Sequence, residues 1–135
     1  MLRSAGADTL AGCRVLIVDD DRDYGESLGD LLELHGCVIA HALSGEAALS
    51  ALGSRAFDVV LLDMRMPGKS GIPLLMEMLA LVPELAVVVV TGFVNAGMEE
   101  SVMRAGARAV LIKPVQLAVL LSTLRRCQQG QKPSS

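Results

Sequence analysis

The sequence predicts an α/β domain: a doubly wound parallel sheet with helices on both faces. Three observations carry that prediction. Apolar runs rich in Val, Leu and Ile recur along the chain without polar alternation, as strands covered on both faces do. Between them lie segments whose apolar residues return every three or four positions, the period of a helix. Strand and helix then alternate from end to end, and such alternation imposes a parallel sheet with right-handed crossovers. Ligands of these sheets bind at the carboxyl ends of the strands, where strand order reverses. The residues that follow each strand are therefore the place to look for chemistry.

The first strand is expected at Arg14–Val18 and runs into Asp19, Asp20 and Asp21. A helix over Asp23–His35 follows, with Leu28, Leu31 and Leu32 on one face. Asp21 and Asp23 suit the positive end of its dipole and read as helix-starting residues rather than metal ligands. Gly36 fits the end of this helix, because glycine accepts a positive φ there. A weaker strand, Cys37–Ala40, precedes a helix at Ser44–Leu52, in which Ser44 is the N-cap and Ala47, Ala48, Ala51 and Leu52 form the apolar face. The third strand, Asp58–Leu62, ends at Asp63, and a helix over Ser70–Leu81 carries Leu74, Leu75 and Met78. Met76 and Met78 read as helix and core filling. The strand Ala86–Val90 is followed by Thr91, a helix over Asn95–Ala105 and a second helix-ending glycine, Gly106. The last pair is the strand Ala109–Ile112, followed by Lys113, and the helix Leu117–Cys127. Residues 13–127 thus read as one folded domain between a flexible leader, 1–12, and a flexible tail, 128–135, which contains Gly130, Pro133 and two serines.

A chain of 135 residues fits one domain with one core. The formal charge of -3 argues against nucleic acid, which demands a clustered excess of Lys and Arg. Met1–Leu10 contain Arg3 and Asp8 and do not form a signal peptide. No run approaches the roughly 18 apolar residues of a spanning helix, so a cytoplasmic protein with no membrane partner is expected. The three cysteines, Cys13, Cys37 and Cys127, are far apart in sequence and read as apolar filling in a reducing compartment. His35 and His41 have no acid beside them in sequence and read as surface or packing residues.

The strand ends deliver a distinct set of groups to one edge: Asp19 and Asp20, Asp63, Thr91 and Lys113. Carboxylates forced together repel unless a cation relieves them. Oxygen donors without Cys or His nearby favour a hard ion, and magnesium is the natural choice. Calcium in an EF-hand is excluded, since Tyr24 stands where that loop needs Gly and Asp30 where it needs Glu. A phosphoryl group in transfer requires an in-line nucleophile, a metal, a cation and hydrogen-bond donors. A carboxylate can act as nucleophile, Lys113 can pair with one phosphoryl oxygen, and the Thr91 hydroxyl can donate to another. Lys113 is the only charged residue between Arg108 and Arg125 and follows an apolar strand, which favours a place in the site over simple solvation.

Four motifs in order, V-D-D-D, L-L-D-M-R-M-P-G-K-S-G-I, V-V-T-G and I-K-P, resemble those of the response-regulator receiver family of two-component phosphorelay signalling. The resemblance runs from Cys13 to Cys127. It implies a flavodoxin-like (βα)5 fold with strand order 2-1-3-4-5. It also implies that Asp63 is the phosphoacceptor and that magnesium is held by Asp19, Asp20, Asp63 and the backbone carbonyl of Arg65, with Asp20 a direct ligand and Asp19 acting mainly through water. Thr91 and Lys113 match the family's phosphoryl-sensing hydroxyl and pairing ammonium, and Lys113–Pro114 matches a peptide bond that is commonly cis. The phosphoryl donor would be a sensor histidine kinase or a histidine phosphotransfer protein. The chain would assist its own phosphorylation and dephosphorylation without being an enzyme. Phosphorylation would switch the region between the fourth strand and fourth helix, and a second copy or an effector would bind the surface of the fourth helix, fifth strand and fifth helix.

The chain departs from the family at Val110, where a Tyr or Phe is usual. Arg65 and Phe93 are bulky at positions that resemble tuners of dephosphorylation, which implies a longer-lived phosphorylated state. Two alternatives differ in class. A phosphorylation-independent interaction module would typically lack an acid, the threonine or the lysine, and all are present. A haloacid-dehalogenase-like phosphatase would carry its nucleophile after the first strand in a D-x-D-x-T/V pattern, but Asp23 occupies the last position of that pattern here.

Overall fold

The computed structural model describes residues 10–92 and 95–129. Among these residues five strands, β1 (Arg14–Val18), β2 (Val38–Ala42), β3 (Val59–Leu62), β4 (Ala86–Thr91) and β5 (Ala109–Ile112), alternate with five helices. The helices are α1 (Arg22–Glu33), α2 (Gly45–Ser54), α3 (Gly71–Leu81), α4 (Ala96–Arg104) and α5 (Leu117–Gln128). All strand pairs are parallel, in the order β2-β1-β3-β4-β5. This is the fold class the sequence predicts, with the strand order that the family resemblance implies.

Each central strand sends alternate residues to opposite faces, and both faces are apolar, which is why β1, β3 and β4 read as unbroken hydrophobic runs. Leu16, Val18, Val60, Leu62, Val87 and Val89 meet Ala48 and Leu52 of α2, Leu74, Leu75 and Met78 of α3 and Val102 of α4. Val15, Ile17, Val59, Leu61, Val88 and Val90 meet Leu28 and Leu32 of α1 and Leu120, Leu121 and Leu124 of α5. Fully burying one such side chain contributes about 1.5–3 kcal/mol relative to leaving it in water.

Local signals set the helix starts. Side chains of Asp21, Ser44 and Asn95 accept hydrogen bonds from the backbone N–H of Tyr24, Ala47 and Met98, which fixes the first turns of α1, α2 and α4. Asp23 lies in the first turn of α1, as its charge suggested. Gly36 and Gly106 take φ of 94° and 118° where α1 and α4 give way to the next strand.

Several boundaries differ from expectation. The edge strand β2 begins at Val38 and extends to Ala42, past the polar, solvent-facing His41 that interrupts the apolar run. Thr91 closes β4 instead of following it, its carbonyl accepting the Lys113 N–H at 2.9 Å. The folded body also begins before Cys13. Leu10 is buried in the α1–α5 core, and the Gly12 N–H donates to the Gly36 carbonyl at 2.8 Å, so residues 10–12, expected in the leader, pack against the domain. A single apolar residue ahead of a turn has no periodicity to reveal it. At the other end α5 extends through Gln128. Residues 1–9 of the expected leader, residues 130–135 of the expected tail and Phe93 lie outside the described residues.

Candidate functional site

Strand order turns around between β1 and β3, so the residues after these two strands flank the reversal. Backbone hydrogen bonds carry the sheet ladder past the strand ends and hold the site residues in place. The Asp19 N–H donates to the Ala42 carbonyl at 3.1 Å, the Asp63 N–H to Val18 at 2.9 Å and the Lys113 N–H to Thr91 at 2.9 Å. Asp19 and Asp63 are buried at 5% and 7% exposure, while Asp20 faces solvent.

Carboxylate oxygens of Asp19, Asp20 and Asp63 all lie within 4.8 Å of one another. Local N–H groups fix two of these carboxylates: Asp21 donates to Asp19 Oδ1 at 2.9 Å and Arg65 to Asp63 Oδ1 at 3.2 Å. Lys113 Nζ reaches Asp19 Oδ2 at 2.9 Å and Asp63 Oδ2 at 3.8 Å. Burial pushes the Asp63 carboxyl above its ordinary range, and the charges of Asp19 and Asp20 push the same way against the Arg65 N–H and Lys113. Burial opposes the charge on Lys113, but its hydrogen bond to Asp19 and the charges of Asp19 and Asp63 outweigh that and hold the ammonium above its ordinary range.

Asp19, Asp20, Asp63 and Lys113 are thus brought together as expected. Thr91 is fully buried at the end of β4 and tied to Lys113 through the backbone. Arg65 exposes its side chain and meets Asp63 through its N–H. Lys113–Pro114 is cis. Val110 packs against the core on the side of α2, α3 and α4. One neighbour was missed: the Tyr24 ring lies under Lys113, with Nζ 4.3 Å from the ring centroid. No local pattern marks it, because its partner Lys113 arrives from the last strand.

The site fits a hard divalent cation. Its donors are all oxygens, two of the three acids are buried, and their crowding leaves negative charge that Lys113 alone does not balance.

The chain matches the response regulator receiver domain family over residues 15–125. It is 38% identical over 122 residues to the response regulator protein FleR of Pseudomonas aeruginosa, covering 90% of this chain and 26% of FleR. Identity to a response regulator receiver protein of Anaeromyxobacter sp. is 40% over 108 residues, 80% of this chain and 45% of that protein. Identity to the transcriptional regulatory protein ZraR of Salmonella typhimurium is 37% over 112 residues, 83% of this chain and 25% of ZraR. The chain therefore spans from a quarter to under half of the length of these relatives. Among solved structures, a CheY-like response regulator receiver domain protein from Methanospirillum hungatei superposes with a TM-score of 0.83 at 28% identity, covering 88% of this chain and 95% of that one. No helix among the described residues is long and apolar enough to cross a membrane. With its fold, its acidic edge and these matches in agreement, the chain belongs to the response regulator receiver domain family and is a receiver domain of two-component signalling.

Proposed function

We propose that Asp63 is the phosphoacceptor of this domain and that it takes its phosphoryl group from a phosphohistidine on a sensor kinase or phosphotransfer protein. The observation that carries the reading is the grouping of the Asp63 carboxylate with those of Asp19 and Asp20, within 3.8 Å of the Lys113 ammonium. A carboxylate oxygen of Asp63 attacks phosphorus in line, the P–N bond breaks, and the imidazole leaves with the electron pair. Lys113 pairs with a developing phosphoryl oxygen, and the Thr91 hydroxyl donates to another when the loop after β4 moves toward it. Asp20, Asp63 and the Arg65 carbonyl would hold a magnesium ion, with Asp19 acting mainly through water; such an ion supplies positive charge to the equatorial oxygens.

The chain is on this reading a cytoplasmic signalling switch that assists its own phosphorylation and dephosphorylation. The phosphoryl group favours one of two arrangements of β4 and α4, and the face made by α4, β5 and α5 then meets a second copy or an effector. Exposed Ile112 and Val119 on that face support this use.

Intact mass after incubation with acetyl phosphate, with and without magnesium and beside Asp63→Asn, tests the proposal. One phosphoryl group per chain that requires both magnesium and Asp63 is expected. No adduct in the wild type, even with a beryllofluoride mimic, would leave a phosphorylation-independent interaction module in its place.

A further inference from the structure

Tyr24 is the only tyrosine in the chain, and nothing in the phosphoacceptor chemistry above uses it. Its position follows from the same run of aspartates that builds the site. Asp19 Oδ1 accepts from the Asp21 N–H at 2.9 Å, and Asp21 Oδ1 in turn accepts from the Tyr24 N–H at 3.1 Å, so two local hydrogen bonds link the buried acid to the first turn of α1. From there the ring returns to the site, half-buried against the α1–α5 core, and lies 4.3 Å from Lys113 Nζ. The ammonium is therefore held on two sides, by Asp19 Oδ2 at 2.9 Å and by the face of the ring.

This matters because a lysine is a strongly hydrated charge at the end of a flexible stem. Left with carboxylates alone, Nζ can swing out into water and away from the acceptor oxygen. A ring face attracts a cation through its quadrupole without offering a hydrogen bond that would compete with a phosphoryl oxygen.

We propose that Tyr24 is a positioning residue for phosphoryl transfer, holding the Lys113 ammonium at the Asp19–Asp63 edge through its ring face. The inference rests on Asp63 being the acceptor. It differs from a packing role in one respect: the aromatic face is required and the apolar volume is not enough.

The test compares the wild type with Tyr24→Phe and Tyr24→Leu. With acetyl phosphate and magnesium, Tyr24→Leu is expected to slow phosphorylation of Asp63 by about two- to five-fold, the range open to a part-exposed cation–π contact. Tyr24→Phe, which keeps the face, is expected to rescue that loss, with thermal melts confirming that each variant is folded. A second readout needs neither donor nor metal. The chain has no tryptophan, so its tyrosine emission reports Tyr24 alone, and Lys113→Met is expected to change that emission. A Tyr24→Leu rate equal to the wild type, a Tyr24→Phe rate as slow as Tyr24→Leu, or emission unaltered by Lys113→Met would each overturn the proposal. A wild type that takes up no phosphoryl group would overturn the acceptor reading and with it the role of Tyr24. The emission of Lys113→Met would then still report whether the contact itself is made.

Discussion

Asp58 stands just ahead of β3 and accepts three hydrogen bonds from Arg14: from the backbone N–H at 2.9 Å, from Nε at 3.2 Å and from Nη2 at 3.1 Å. Partial burial pushes the Asp58 carboxyl up, but the side-chain donation, the backbone donation and the charge of Arg14 together hold it below its ordinary range. A depressed carboxylate pKa contributes stability that is present above the unfolded value, near 3.9, and is lost as pH falls through the folded one. Asp58→Asn is accordingly expected to lower the urea midpoint at pH 7, and the gap to the wild type should close as the pH drops below about 4. A gap of constant size across that range would show that hydrogen bonding, and not charge, carries the interaction. The sequence did not reveal this pair, because 44 positions separate the partners and no local pattern joins them. Tyr24 was hidden for a related reason: its partner, Lys113, arrives from the last strand. The acids, the threonine and the lysine were legible singly, because each breaks an otherwise apolar run at a strand end.

Within an element, helix α2 makes opposite demands on two glycines. Gly45 opens the helix against the loop that follows β3, and a Cβ there would run into the Lys69 carbonyl, which belongs to backbone and cannot swing aside. Gly53, in the last turn, has open space around the same position. Gly53→Ala is therefore expected to stabilise the fold by about 0.5–1 kcal/mol, the conformational advantage of alanine in a helix. Gly45→Ala should destabilise it by about 1–3 kcal/mol through overpacking. Denaturant melts of both variants check the pair, and two changes of the same sign would refute the contrast. The sequence located α2 by its alanines and by Ser44, yet it could not distinguish the two glycines, since what separates them is a loop from another part of the chain. Central strands were legible nearly to the residue because burial on both faces forces every position to be apolar. Edge strand β2 was displaced in prediction because its exposed positions weaken that rule.

At the scale of the whole molecule, the topology concentrates charge that no single element would tolerate. Reversal of strand order between β1 and β3 places two buried acids side by side, and the last strand brings one lysine to share between them. Three carboxylates within 4.8 Å and one ammonium leave net negative charge at an edge otherwise backed by an apolar core. The unfolded chain spreads those charges apart, so their repulsion weighs against the folded state, and a cation that binds there stabilises that state by mass action. Magnesium at about 100 times its dissociation constant should raise unfolding stability by about 2.7 kcal/mol, seen as a rise in melting temperature that EDTA reverses. Asp63→Asn removes one charge from the cluster while keeping its shape. This variant is expected to melt above the wild type when no magnesium is present, and to gain less when it is added, so that the two curves approach each other or cross. A melting temperature indifferent to magnesium in the wild type would show that the acids do not need a cation. An Asp63→Asn variant that melts lower in both conditions would show that the carboxylate is held more by the Arg65 N–H and Lys113 than it is repelled by its acidic neighbours.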